Sequence, residues 1–256
     1  MRRQPRKGMS CAFFDIDGTL VKGFMIQSFP RYLADAGFVN AAHPDQIDEI
    51  ILNYHSGRTT YREAAETVPY LYAFALKAKD EDSVKSWAGK FMQSYLAEHL
   101  FSYSEKLVRS VRGLVDVTIA LSGSPHEVVQ EIRVLGFDRV YGSRFEVTSG
   151  VYTGRVLTNL ILGEEKAKLA RKLSEELSID LERSIAFGDT DQDESLLDIV
   201  GLPVGLNPTN RLKMICESRG WEWLAKTDLD DIDNVIEWLG KRIETGSIRQ
   251  NSSPKM

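Results

Sequence analysis

The chain has 256 residues, 43% hydrophobic and 27% charged, with a formal net charge of −5. Those figures describe a soluble globular protein large enough for one domain or a core with an insert, and the acidic balance argues against a nucleic-acid partner. No stretch approaches the roughly 18 unbroken apolar residues of a membrane span.

Arg2, Arg3, Arg6 and Lys7 form a basic arm over residues 1–8. The apolar run behind it is short and ends at Asp15, so it is read as a solvated tail and not as a signal peptide. The run Cys11-Ala12-Phe13-Phe14 stops at Asp15-Ile16-Asp17-Gly18-Thr19, the pattern of a buried parallel strand that delivers two acids to its carboxyl end. Alternation along an extended chain puts Asp15 and Asp17 on the same side. Two carboxylates that close repel unless a cation lies between them.

From Met25 to Phe101 the periodicity is helical, with helices expected over Ile26–Ala36, Asp45–His55, Tyr61–Leu76 and Ser83–Phe101. Thr59/Thr60 ahead of Arg62-Glu63 resembles an N-cap with an acid in the first turn. The aromatics Tyr54, Tyr61, Tyr70, Tyr72 and Phe74 read as a core stripe. A β-branched strand follows over Val115–Leu121. It runs into Ser122-Gly123-Ser124-Pro125 and a helix over His126–Leu135, with Ser124 as N-cap and Pro125 as first helical residue. Strand, small-residue turn and helix N-terminus together present backbone N–H groups to an anion. His126 reads as an exposed helical residue.

Arg139–Tyr141 reads as a short strand, and Phe145–Thr148 with Val151–Leu157 as a hairpin. A helix is expected over Glu164–Leu177 and a strand over Ser184–Phe187, which ends in Gly188-Asp189-Thr190-Asp191-Gln192-Asp193. A last strand over Val204–Leu206 and helices over Arg211–Ser218 and Asp231–Glu244 complete the body, with a polar tail over 245–256. Strands alternating with helices predict an α/β fold with a Rossmann-like parallel sheet. The core is assigned to 9–22 and 107–244, with a helical cap over 23–106. Cys11 and Cys216, without CxxC spacing, read as buried or inert thiols of a reducing, cytoplasmic compartment.

Three strands thus end in polar clusters: Asp15/Asp17, Ser122, and Asp189/Asp193. In a parallel sheet those ends share one edge, so the clusters can converge. Carboxylate oxygens suit Mg²⁺, and no CxxC or HExxH spacing argues for zinc. Lys166 and Lys168 are the nearby cations. Two apart on a helix, they face nearly opposite ways, so only one can enter the site.

Phe14-Asp15-Ile16-Asp17-Gly18-Thr19-Leu20 resembles motif I of the haloacid dehalogenase (HAD) superfamily. Leu121-Ser122-Gly123-Ser124 resembles its motif II, and Gly188-Asp189-Thr190-Asp191-Gln192-Asp193 its motif IV. They occur in family order, and the resemblance spans residues 11–225. It implies a nucleophile in Asp15, which forms an aspartyl-phosphate, and a general acid/base in Asp17. It further implies Mg²⁺ held by Asp15, the Asp17 main-chain carbonyl and Asp189, with Asp193 orienting a metal-bound water or the lysine. Ser122, the Gly123 N–H and Lys166 would hold the phosphoryl group, since the family's lysine sits at a helix start.

The second acid favours phosphoryl chemistry over dehalogenation, and the insert resembles the C1 helical cap of the phosphoserine-phosphatase-like branch. The expected reaction is Mg²⁺-dependent hydrolysis of a small phosphomonoester. A phosphotransferase or mutase, or a non-catalytic phospholigand-binding regulator, are the alternatives. Phosphoserine phosphatases carry an acidic residue shortly after motif I and an arginine in the cap. The comparable places here hold Phe24 and Glu66, which argues against phosphoserine and for a more apolar leaving group. The natural substrate and the oligomeric state stay open.

Overall fold

The computed structural model describes residues 8–244; the tail over 245–256 and all of the basic arm but Gly8 lie outside the described residues. The strands are β1 (Cys11–Phe14), β2 (Val117–Pro125), β3 (Arg139–Thr148), β4 (Val151–Thr158), β5 (Ile185–Gly188), β6 (Leu202–Leu206) and β7 (Glu222–Leu224). They form one sheet in the order β4-β3-β2-β1-β5-β6-β7. Every pair is parallel except the β3–β4 hairpin. This is the Rossmann-like α/β sheet expected from the sequence.

β1 lies at the centre, with β2 on one side and β5 on the other. Its register pairs Phe14 with Ala120 and with Phe187. β1 and β5 therefore end almost level, and the residues that follow them meet the last residues of β2, which runs on to Pro125, at one edge. The apolar run of β1 is continuous because both of its faces are covered. Ala12 and Phe14 enter one core, while Cys11 and Phe13 enter the other. β5 divides the same way, Ile185 and Phe187 against Ala186.

Of the five helices between β1 and β2, the first four are α1 (Met25–Asp35), α2 (Ala42–His55), α3 (Tyr61–Leu76) and α4 (Glu81–His99). They match the expected set to within a few residues. α3 starts on a capping box, in which the Thr60 hydroxyl accepts the Glu63 N–H and the Glu63 carboxylate accepts the Thr60 N–H. Two satisfied orphan donors fix this boundary. α5 (Ser104–Arg112) was not anticipated. Its Ser104 hydroxyl and that of Tyr103 just before it donate to the Leu20 and Thr19 carbonyls, at 2.7 and 2.6 Å. The chain's return from the inserted helices is thereby tied to the loop after β1.

The remaining helices are α6 (His126–Val129), α7 (Gly163–Leu177), α8 (Glu194–Leu197), α9 (Asn210–Arg219), α10 (Lys226–Leu229) and α11 (Ile232–Glu244). α6 is a single turn that continues as a 3-10 helix over Gln130–Leu135. Ser124 does not cap it: β2 runs on to Pro125, and the buried Ser124 hydroxyl serves other partners. β3 joins the two short strands expected around Gly142 into one. The aromatic stripe splits by helical geometry: Tyr72 is fully buried, while Tyr70 and Phe74, four apart on the opposite face, are 56% and 49% exposed. Cys11 and Cys216 are buried free thiols. No helix among the described residues is long and apolar enough to cross a membrane.

Candidate active site

Asp15 follows β1 directly and is 3% exposed. Lys166, in the first turn of α7, donates from Nζ to Asp15 Oδ1 at 2.5 Å and to Asp193 Oδ1 at 2.9 Å. The Thr19 hydroxyl lies 2.8 Å from Asp15 Oδ2 and 2.9 Å from Asp189 Oδ1, so its single proton serves one of them at a time. Asp193 Oδ2 accepts the Asp189 and Thr190 N–H groups, which fixes the loop after β5. Lys168 is exposed and pairs with Glu165. The lysine at the helix start is the one in the site.

Asp15, Asp189 and Asp193 offer carboxylate oxygens within 4.8 Å of one another, and all three residues are buried. Burial, with the Asp193 and Asp17 charges, pushes Asp15 up to about 7 despite Lys166. Burial and the Asp15 and Asp193 charges hold Asp189 well above the usual carboxylate range. Burial opposes the charge on Lys166, but Asp15 and Asp193 outweigh it and raise the ammonium above its ordinary value. Three carboxylates against one ammonium leave excess negative charge in a dry place, which a second cation would relieve. The donors are all hard oxygens, the set that suits Mg²⁺.

The Asp17 carboxylate stands apart from that cluster. It accepts the Met25 N–H at 2.8 Å, the Ser122 hydroxyl at 2.6 Å and the Ser124 hydroxyl at 3.0 Å. Strand alternation does not govern the pair, because β1 ends at Phe14 and Gly18 turns the chain at φ +88°. Burial raises the Asp17 carboxyl, which these three donors only partly offset. Ser122 also accepts the Ser124 N–H, so its hydroxyl braces the loop as well as Asp17.

Close approach explains the glycines here. A Cβ on Gly18 would lie 2.3 Å from Asp189 Oδ2, and one on Gly123 would lie 2.9 Å from the Ile161 Cα.

Asp15, Asp17, Lys166 and Asp193 form the polar end of a cavity of about 120 Å³. Gly123, Ser124, Thr190 and Gln192 line it beside them, and the opposite wall comprises Phe24, Ile26, Ile51, Tyr54, Tyr61, Ala64, Ala65, Val68 and Ile161. No charged side chain lies on that wall. Glu66 is exposed and turns outward to Arg62. His126 is half-buried and not exposed as expected. Its Nδ1 accepts the Gly142 N–H, and burial, with Arg144 and Arg133, lowers it to about 4.

Sequence reasoning passed over Thr19, Ser124, Tyr54 and Tyr61. Thr19 was legible as the hydroxyl closing the Asp-Gly-Thr turn. Tyr54 and Tyr61 carried no distinguishing signal, since an aromatic on an amphipathic helix reads as core.

Residues 12–198 match the haloacid dehalogenase-like hydrolases, and the chain belongs to that family. It is 26% identical over 231 residues to a phosphoserine phosphatase of Mycobacterium tuberculosis, spanning 86% of this chain and 72% of that protein. It is also 26% identical over 216 residues to a histidinol-phosphatase of Neisseria meningitidis, spanning 82% of this chain and 96% of that one. The solved structure of a Bordetella pertussis protein of unknown function shares the fold, with a TM-score of 0.72 and 24% identity. It covers 85% of this chain and 99% of its own.

Proposed function

We propose that this hydrolase is a Mg²⁺-dependent phosphomonoesterase that cleaves a small phosphate ester through an aspartyl-phosphate on Asp15. The observation that carries this reading is the placement of Asp15 between Lys166 and Thr19, at the floor of a pocket whose wall also holds Asp17. The relatives named phosphoserine phosphatase and histidinol-phosphatase support the reaction class.

An Asp15 carboxylate oxygen attacks phosphorus, and the bond to the leaving oxygen breaks as that oxygen takes a proton from Asp17. Burial favours the protonated form of Asp17, against the pull of the Met25, Ser122 and Ser124 donors. Water then attacks the aspartyl-phosphate, gives its proton back to Asp17, and inorganic phosphate leaves with Asp15 restored. Lys166 balances charge on the phosphoryl oxygens and Gly123 borders them, while Ser122, expected to hold the phosphoryl group, lies buried behind the cavity and holds Asp17. Asp15, Asp189 and the Asp17 main-chain carbonyl would hold Mg²⁺, with Asp193 orienting the lysine. Bound there, the ion neutralises phosphoryl charge. The helices over 23–106 act as a cap that excludes water. Buried free thiols suit a reducing compartment such as the cytoplasm.

The wall opposite the carboxylates points to an uncharged, largely apolar leaving group. A phosphoserine zwitterion would bury two charges against Phe24, Ala65 and Val68 with no partner. The test is phosphate release across a panel of phosphomonoesters. Turnover should require Mg²⁺, vanish in Asp15→Asn and favour neutral alcohols. Strong preference for phosphoserine would overturn the assignment of the wall, and Mg²⁺-independent turnover that survives Asp15→Asn would overturn the mechanism.

A further inference from the structure

Pro69 lies inside α3. A proline has no N–H, so the carbonyl four residues back, that of Ala65, loses its helical partner. The structure supplies a replacement from outside the helix. Asn159, in the loop between β4 and α7, donates from Nδ2 to the Ala65 carbonyl at 2.8 Å. The amide orientation is set at both ends, because Asn159 Oδ1 accepts the Ile161 N–H at 3.1 Å and only the nitrogen can then face a carbonyl.

The loop that holds Asn159 is tied to the site through Ile161 and Leu160. Ile161 lines the cavity, and its carbonyl accepts the Tyr61 hydroxyl from the start of α3 at 2.7 Å. Its Cα packs where a Cβ on Gly123 would stand. The Leu160 N–H donates to the Ser143 hydroxyl, which in turn donates to the Gly123 carbonyl at 2.6 Å. Lys166 follows five residues after Ile161. The position of α3 is thus passed to Gly123 and to the base of α7 through residues 159–161.

At its other end α3 is fixed by backbone bonds. Ala78 N–H donates to the Tyr152 carbonyl, and Tyr152 N–H to the Lys79 carbonyl, both at 2.9 Å. Glu81 N–H reaches the Gly150 carbonyl at 2.8 Å. The α3–α4 turn is therefore stitched to β4. The start of α3, over the pocket, rests on side chains: Tyr61, Asn159 and the exposed Arg62–Glu164 pair at 3.1 Å.

We propose that Asn159 is a positioning residue that latches the start of α3 over the substrate pocket, using the carbonyl that Pro69 leaves free. The latch holds the cap end of the pocket in register with Gly123 and Lys166 and touches no reacting atom. Its kinetic consequence rests on the phosphatase reading, whereas its structural consequence does not.

The experiment uses the full chain and p-nitrophenyl phosphate with Mg²⁺, beside hydrogen–deuterium exchange of the substrate-free protein. Asn159→Asp keeps the acceptor for Ile161 and turns the donor into an oxygen facing a carbonyl. KM should rise about fivefold, the factor of one lost net hydrogen bond, with kcat within twofold. Amide exchange over residues 61–68 should quicken, with β1 and β2 unchanged. Pro69→Ala restores an N–H that competes for the Ala65 carbonyl, so in that background Asn159→Asp should change KM by less than twofold.

A fivefold effect that persists beside Pro69→Ala would mean that the new carboxylate merely repels the ester, and would overturn the latch. Unchanged exchange over 61–68 would also overturn it. Quickened exchange in a protein that turns over no phosphomonoester would uphold the latch while rejecting the phosphatase reading.

Discussion

The two sides of the pocket are built on opposite terms. The sheet side carries all of its charge: Asp15, Asp17, Lys166 and Asp193 line the cavity, with Asp189 behind them, and almost every polar atom there has a named partner. The inserted helices contribute Phe24, Ile26, Ile51, Tyr54, Tyr61, Ala64, Ala65 and Val68, with no charged group. The charged side specifies a reaction, because carboxylates and an ammonium at fixed distances favour particular charge shifts. The apolar side specifies which molecule fits, through shape and desolvation. Variants on the two sides should accordingly fail in different ways.

The largest effect is expected on the sheet side. Lys166→Met leaves Asp15, Asp189 and Asp193 buried without their ammonium, and unfolding in chelator should show a loss of about 3 kcal/mol or more. Phosphate release should fall by about 10³, while added Mg²⁺ should recover part of the thermal stability by binding the folded state alone. A melt insensitive to both the substitution and Mg²⁺ would mean that these carboxylates do not need a cation. On the apolar side, Phe24→Glu should lower kcat/KM for p-nitrophenyl phosphate by about tenfold, through a charge placed against the leaving group. The Mg²⁺ concentration giving half-maximal activity should not move. If both shift together, the two sides are not separable.

The smallest effect lies outside the pocket. His126 is lowered to about 4 in the folded protein by burial and by Arg144 and Arg133. The unfolded chain takes up this proton first, near pH 6.5, so the stability from the neutral ring is complete above that pH and is lost as pH falls toward 4. The ring is only half-buried, and solvent screening reduces the effect to about 1 kcal/mol. Chemical denaturation at pH 7.5 and 4.5 should show wild type losing that much more than His126→Gln. An equal loss would place the ring's charge in water in both states.

Legibility followed the same divide. The strand Cys11–Phe14, the capping box at Thr60 and the acids after β5 were readable because each rests on neighbours within a few residues. Local signals failed where a longer-range partner took over. Ser124 carries every mark of an N-cap, yet its hydroxyl goes to Asp17, and Ile26 N–H donates to it from α1. β7, three half-buried residues beginning with a glutamate, has no apolar run and exists because β6 offers it an edge. α5 is short, and it is fixed partly by Ser104 bonding the loop after β1.

By itself, the sequence determined the alternating α/β order, the inserted helices and the identity of the acids and the lysine helix. Those are matters of periodicity and of residues spaced along single strand ends. Spacing along the helix left Lys166 and Lys168 open and the family resemblance preferred Lys166; the docked α7 puts Lys166 against Asp15, because a helix must be docked before one of its faces becomes the inside. Tertiary structure decided that Asp193 joins the carboxylate cluster, that the Asp17 carboxyl is held by Met25 and two serines, and that Asn159 takes the carbonyl freed by Pro69. Each of these joins groups remote in the chain whose distance is set only when the strands align and the helices close over them.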